Sequence, residues 1–192
     1  NMSNDEILNG PIEKLRNGDL DGAIEELDGL MSSHKTNAQV HHMYAEFANM
    51  KNAEAQDDII PGGKIMMAYK KAMQLDEENM EYIGDFATFA LECRWIPVAV
   101  KEFQRYARRL EIEDIPVDEV LFTASRNIVD AIEVMDPTKK NPMVQPWLKQ
   151  ALIWAVGGLG YSAEDASEML TSDDWGGTMT NQSVRLAFRI GY

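Results

Sequence analysis

The chain carries few of the residues that would give it a covalent or catalytic identity. Its 192 residues include one cysteine, Cys93, so no internal disulfide can form, and a reducing, cytoplasmic setting is expected. Cys93 itself, with no reactive signature around it, reads as a small buried residue at a helix end. There are three histidines, His34, His41 and His42; the last two are adjacent and do not readily share a metal, and zinc would then need further thiolate or imidazole ligands that the sequence does not offer. No apolar run approaches the roughly 20 residues of a membrane span. The opening residues Asn1-Met2-Ser3-Asn4-Asp5-Glu6 show neither a basic nor an apolar segment, so neither a secretory leader nor membrane association is expected. Basic side chains are scarce too: 18 Lys and Arg against 32 Asp and Glu leave a net charge of −14, which repels a phosphate backbone and argues against nucleic-acid binding. No serine lies in a nucleophile elbow and no glycine loop cradles phosphate. Gly157-Gly158-Leu159-Gly160 lacks the preceding strand that would give it dinucleotide meaning. A non-enzyme without metal or cofactor is expected.

What the chain does have is an internal repeat. Ala23, Leu27 and Leu30, then Ile65, Tyr69 and Ala72, then Ala99, Phe103 and Tyr106 share offsets of four and three residues, the spacing of one helix face. The interval from Ile65 to Ala99 is also that from Tyr69 to Phe103 and from Ala72 to Tyr106, and its length is typical of stacked helical hairpins. Tyr44-Ala45-Glu46-Phe47-Ala48 returns at a longer interval as Phe86-Ala87-Thr88-Phe89-Ala90, the difference reflecting extra residues between the helices of the middle repeat.

Ser3 with Glu6 forms a capping box for a short first helix that Gly10-Pro11 should interrupt or restart. Asn17-Gly18-Asp19 makes a turn, and a helix then runs to about Met31. Further helices are predicted over 38–50, 64–75, 80–93, 97–110 and 118–135. The segment 52–63, ending in Ile60-Pro61-Gly62-Gly63, reads as a loop. A breaker-rich stretch, Asp136-Pro137-Thr138-Lys139-Lys140-Asn141-Pro142, makes the best boundary. It divides an all-α repeat region, 1–135, from a helical cap or small module, 143–192, with helices near 145–156, 163–170 and 182–190.

Two stretches carry a family resemblance. Gly18-Asp19-Leu20-Asp21-Gly22-Ala23-Ile24-Glu25-Glu26-Leu27 and Ala68-Tyr69-Lys70-Lys71-Ala72-Met73-Gln74-Leu75-Asp76, followed by Asn79, resemble the turn, second-helix start and second-helix end of tetratricopeptide (TPR) repeats over roughly 3–113. Glu77 stands where that family usually has proline, and 52–63 is an insertion. The resemblance implies an α-solenoid whose first helices line a concave groove, here Gln39, His42, Glu46, Asn49 and Met50, then Glu81, Asp85, Thr88 and Glu92. Chaperone-binding members hold a carboxylate there with lysines, an arginine and asparagines; here the basic groups are absent, and acids replace several of them. A basic or apolar protein segment is therefore the expected partner.

The last block is similar to a ubiquitin-associated three-helix module or to the C-terminal domain of the Holliday-junction protein RuvA, through Ala151-Leu152, Leu159-Gly160-Tyr161-Ser162, Asp165-Ala166, Met169-Leu170 and Val184-Arg185-Leu186-Ala187. That resemblance implies that Tyr161, in the Gly-aromatic turn, can contact a partner.

Three other features bear on function. Asn17 to Asp28 has oxygen side chains at alternate positions, glycine sixth and a carboxylate twelfth, like an EF-hand loop. Its closing ligand is the short Asp28, however, and the repeat register accounts for the same residues without calcium. His41 and His42 point about 100° apart on a helix and do not readily share a metal; His41, equivalent to Ile83, should pack, and His42, equivalent to Gly84, should face the groove. Lys101, Arg105, Arg108 and Arg109 form a basic stripe, either an outer face or a dock for an acidic partner such as a second copy. The reading is an adaptor or assembly factor that binds a protein segment. An acidic assembly chaperone or nucleic-acid mimic, or a regulatory subunit of an enzyme, are the alternatives.

Overall fold

A computed structural model describes residues 3–138 and 141–159. Among them the chain is all-α, with eight helices: α1 (Asn4–Arg16), α2 (Leu20–Ser33), α3 (Ala38–Ala55), α4 (Gly62–Leu75), α5 (Met80–Glu92), α6 (Ile96–Ile112), α7 (Glu119–Met135) and α8 (Gln145–Leu159). None is long and apolar enough to cross a membrane. The chain forms two compact units, 1–86 and 87–192, that divide inside α5. The breaker-rich stretch expected as the boundary lies within the second unit, where α8 packs back on α7. The predicted helices at 163–170 and 182–190, and Tyr161, fall outside the described residues.

In the first unit α1 packs on α2, α2 on α3, and α3 on α4. The repeated apolar positions meet there: Ala23, Leu27, Ile65, Tyr69 and Ala72 are buried, as are Tyr44, Ala45, Phe47 and Ala48 of α3. Leu30 is only half-buried. In the second unit Ala99, Phe103 and Tyr106 of α6 are buried, with Ile128 and Ile132 of α7 and Leu152 of α8. Phe103 meets Trp154 edge to face at 6.3 Å between ring centres, an arrangement that aligns the positive edge of one ring with the negative face of the other. Gly158 lets α8 approach α7, since a Cβ there would strike the Phe122 ring.

The turns repeat as regularly as the core. After α1 the chain places Gly18 in the left-handed region (φ 79°), with Gly18 N–H donating to Leu15 C=O and Asp19 N–H to Lys14 C=O. This pair of bonds is the Schellman closure, which satisfies the last helical carbonyls. The same closure follows α3, α5 and α6, with Gln56, Arg94 and Asp114 in the left-handed position (φ 51°, 65° and 56°). Connections from second to first helices match as well. His34 N–H donates to Leu30 C=O and Asn37 caps α3 through Val40 N–H. One repeat later, Asp76 N–H donates to Ala72 C=O and Asn79 receives Tyr82 N–H.

Three local expectations are corrected. Pro11 does not interrupt α1, which runs through it from a Ser3 cap; Pro11 is itself buried, and packing of α1 against α2 compensates the missing donor. α3 extends past Met50 to Ala55, and Asn52, expected in a loop, is helical. Its amide donates to Ile60 C=O (2.8 Å) and accepts from Ile60 N–H (2.9 Å), stapling the 56–61 turn to the helix. Cys93 is half-buried rather than buried.

Candidate functional site

α3 presents its residues at intervals of four, so His42 and Glu46 share one face. Asp85, on α5, completes a cluster with them. His42 Nε2 lies 2.7 Å from Asp85 Oδ2 and 3.2 Å from Glu46 Oε1, and its side chain is 14% exposed. The Tyr82 ring lies tilted against the imidazole with centres 4.6 Å apart, and Tyr69 meets it edge-on at 6.0 Å. Burial alone would drive the ring neutral. The hydrogen bonds to Asp85 and Glu46, with the two carboxylate charges, overcome it and push the His42 pKa up to about 9. His42 is therefore favoured as the cation near neutral pH, held between Asp85 and Glu46.

The cluster joins two of the predicted groove helices through three predicted groove residues. The anticipated acidity is locally reduced, because one positive ring sits between two carboxylates. Around it Gln39, Met50 and Glu81 are exposed and Asn49 is half-buried. Gln39 also lines a cavity of about 980 Å³ with His34, Asp76, Asn79 and Tyr82, at the junction of the matched turns. The two remaining groove residues belong to the second unit: Thr88 is half-buried, Glu92 is exposed, and both line a cavity of about 410 Å³ with Arg94, Asn127 and Asp130.

His41 is buried, and its Nε2 bonds Lys35 C=O at 2.8 Å. That contact makes its role one of packing and turn closure. The basic stripe of α6 is divided. Arg105 lies 3.4 Å from the buried Glu102 and Arg109 lies 3.4 Å from Glu113, while Lys101 and Arg108 are exposed. The EF-hand-like residues are helical from Leu20 onward, so side chains at alternate positions diverge around the axis instead of converging on one cation. Each of three acids there has another partner: Asp19 caps α2 through Gly22 N–H, Asp21 pairs with Lys51 at 2.9 Å, and Asp28 pairs with Lys64 at 3.0 Å.

Sequence reasoning alone leaves Glu46 and Asp85 as open acids. The spacing of His42 and Glu46 is a visible signal of pairing, but the approach of Asp85 depends on how α3 and α5 come together and has no local signature. Compared with known proteins, the chain matches no family model and no curated sequence.

Proposed function

We propose that the chain is a non-catalytic, TPR-like interaction protein of the cytoplasm, an adaptor or assembly factor that holds a basic or apolar segment of another protein against the faces of α3 and α5. The observation that carries this reading is the His42–Asp85 bond, which fixes neighbouring first helices while Gln39, Met50 and Glu81 stay exposed beside them. A rigid surface loses little freedom on binding, so more of its contact energy appears as affinity. The local charge remains negative, with Glu46, Glu81 and Asp85 against one imidazolium, and favours a cationic or neutral ligand over an acidic one.

Charge mimicry has less support. A mimic acts through a field of unpaired acids, and five of the 17 acids of the first unit, Asp21, Glu26, Asp28, Glu46 and Asp85, are each within ion-pair distance of a cation, which weakens that field.

The test uses exposed positions, which leave the cluster intact. A fluorescent 12-residue peptide alternating lysine and leucine is titrated against wild type and the Gln39→Lys, Glu81→Lys double variant. Binding to wild type and at least a tenfold loss in the variant, with helicity unchanged, is the expected result. No binding, or equal affinity for both proteins, refutes the assignment of this face.

A further inference from the structure

The first unit is strongly acidic, with 17 Asp and Glu against seven Lys and Arg in residues 1–86. Four of those seven cations line one cavity of about 640 Å³: Lys35, Lys64, Lys70 and Lys71. Asp28 is the single acidic side chain in its lining, and it is already paired with Lys64. Lys35, Lys70 and Lys71 are exposed and have no ion-pair partner among the described residues. The rest of the lining combines the apolar side chains of Met31, Ala68 and Met67 with Ser32, His41 and Gln74, and Met67 is 72% exposed.

This combination is specific in two respects. A solvated outer face would be expected to mix both signs of charge, as the rest of this unit does, whereas here the cations are gathered around a concavity. Lys70 and Lys71 also follow Met67 on α4, so much of the apolar wall and of the cationic rim comes from one rigid helix, with Met31 of α2 and Lys35 after it completing them. Methionine suits an apolar contact that must adapt to its occupant, because its side chain is flexible and polarizable. An exposed apolar residue ringed by one sign of charge selects a ligand with an apolar side chain flanked by the opposite charge.

We propose that the cavity between α2, α3 and α4 is a second docking site, which takes an acidic protein segment carrying an apolar anchor: the carboxylates reach Lys35, Lys70 and Lys71, and the anchor lies against Met31 and Met67. It uses residues separate from the α3 and α5 face and stands whether or not that face binds a basic segment. Together the two sites would let one unit distinguish partners by charge.

The probe is a fluorescent, acetylated 12-residue peptide of glutamate and aspartate with two central leucines, titrated into the full chain by fluorescence anisotropy. Saturable micromolar binding is expected, weakened at least tenfold in the Lys70→Glu, Lys71→Glu variant and severalfold in Met67→Ser. Lys149→Glu, a charge change at an exposed position of α8, should leave it unchanged. Replacing the leucines of the peptide by serine should weaken binding severalfold, which separates anchored docking from charge attraction alone. Absence of binding to the wild type, indifference to the Lys70 and Lys71 reversals, or equal affinity for a single-stranded oligonucleotide overturns the proposal. Concentration-dependent self-association, abolished by the same reversals and preventing peptide binding, would instead identify the occupant as a second copy and overturn the assignment to another protein. Circular dichroism of each variant establishes that the fold is intact; should the double reversal unfold, Lys70→Gln and Lys71→Gln, tested singly, supply the same comparison.

Discussion

Both units bury an apolar core, but the further contacts that cross between their helices differ in kind. In the first, charge crosses between helices: Lys14 to Glu26 joins α1 to α2, Lys51 to Asp21 joins α3 to α2, Lys64 to Asp28 joins α4 to α2, and His42 to Asp85 joins α3 to α5. In the second, the contacts between helices include the Phe103–Trp154 ring pair, a hydrogen bond from the Gln104 amide to Gln150 Oε1 and the Tyr106 hydroxyl donating to Asp118, while the pairs Arg105–Glu102 and Arg109–Glu113 stay within or at the end of α6. Exposed ion pairs contribute little each and are screened by salt, whereas apolar burial is largely indifferent to both salt and pH. The first unit should therefore respond to solution conditions that leave the second unchanged.

The largest effect expected is in the second unit. Ala99 is fully buried, and Ala99→Arg would combine overpacking with a charge that has no solvent. A loss of about 4 kcal/mol or more follows, enough to unfold a marginally stable domain. Circular dichroism and solubility report it, and raising salt should not rescue the variant. Wild-type melting would mean that the packing of α6 is wrongly assigned.

A smaller and opposite kind of sensitivity is expected at Asp85. The folded-state His42 pKa of about 9 lies above the ordinary 6.5, so the protonated, paired ring stabilises the fold. That contribution is fully present below pH 6.5 and is lost as pH rises through about 9. Its full size is roughly 3 kcal/mol, and Asp85→Asn should remove about 2 kcal/mol of it. Denaturant titrations at pH 6 and pH 10 test the sign: a large difference between wild type and variant at pH 6 should shrink toward zero at pH 10. A constant difference would assign Asp85 a role other than holding the proton on His42. Reversing Glu46 and Asp85 to lysine should destabilise the fold by the same linkage, because both are partners of a half-buried imidazolium.

The core was readable because burial follows periodicity. Of the nine positions that follow one spacing, Ala23, Leu27, Ile65, Tyr69, Ala72, Ala99, Phe103 and Tyr106 are buried and Leu30 is half-buried. The end of α3 was not readable that way, because Lys51 to Ala55 offers no apolar stripe, only residues of mostly good helix propensity whose continuation depends on the Asn52–Ile60 staple. The site was half legible: the recurrence of the α3 pattern in α5 places His42, Glu46 and Asp85 on groove helices, but the closure of Asp85 on His42 depends on how the two helices approach and has no local signature.

The turns show the same limit and give the smallest effect. Gly18, Gln56 and Arg94 occupy equivalent left-handed positions, evenly spaced along the chain, and Asp114 closes α6 in the same way. Only the first is glycine, so only the first is visible as a turn signal in the sequence. For residues with a Cβ this conformation costs roughly 1–2 kcal/mol, partly offset because glycine loses more backbone entropy on folding. Arg94→Gly and Asp114→Gly should each stabilise the second unit by about 0.5–1 kcal/mol, and Gln56→Gly the first by a similar amount. Combined, they should raise the melting temperature by several degrees without altering the pH dependence attributed to His42. Gly18→Ala, made for contrast, should be destabilising, because it introduces the strain that the other three substitutions remove. If all four changes shift stability in the same direction, the matched Schellman closures are not the common element that terminates α1, α3, α5 and α6.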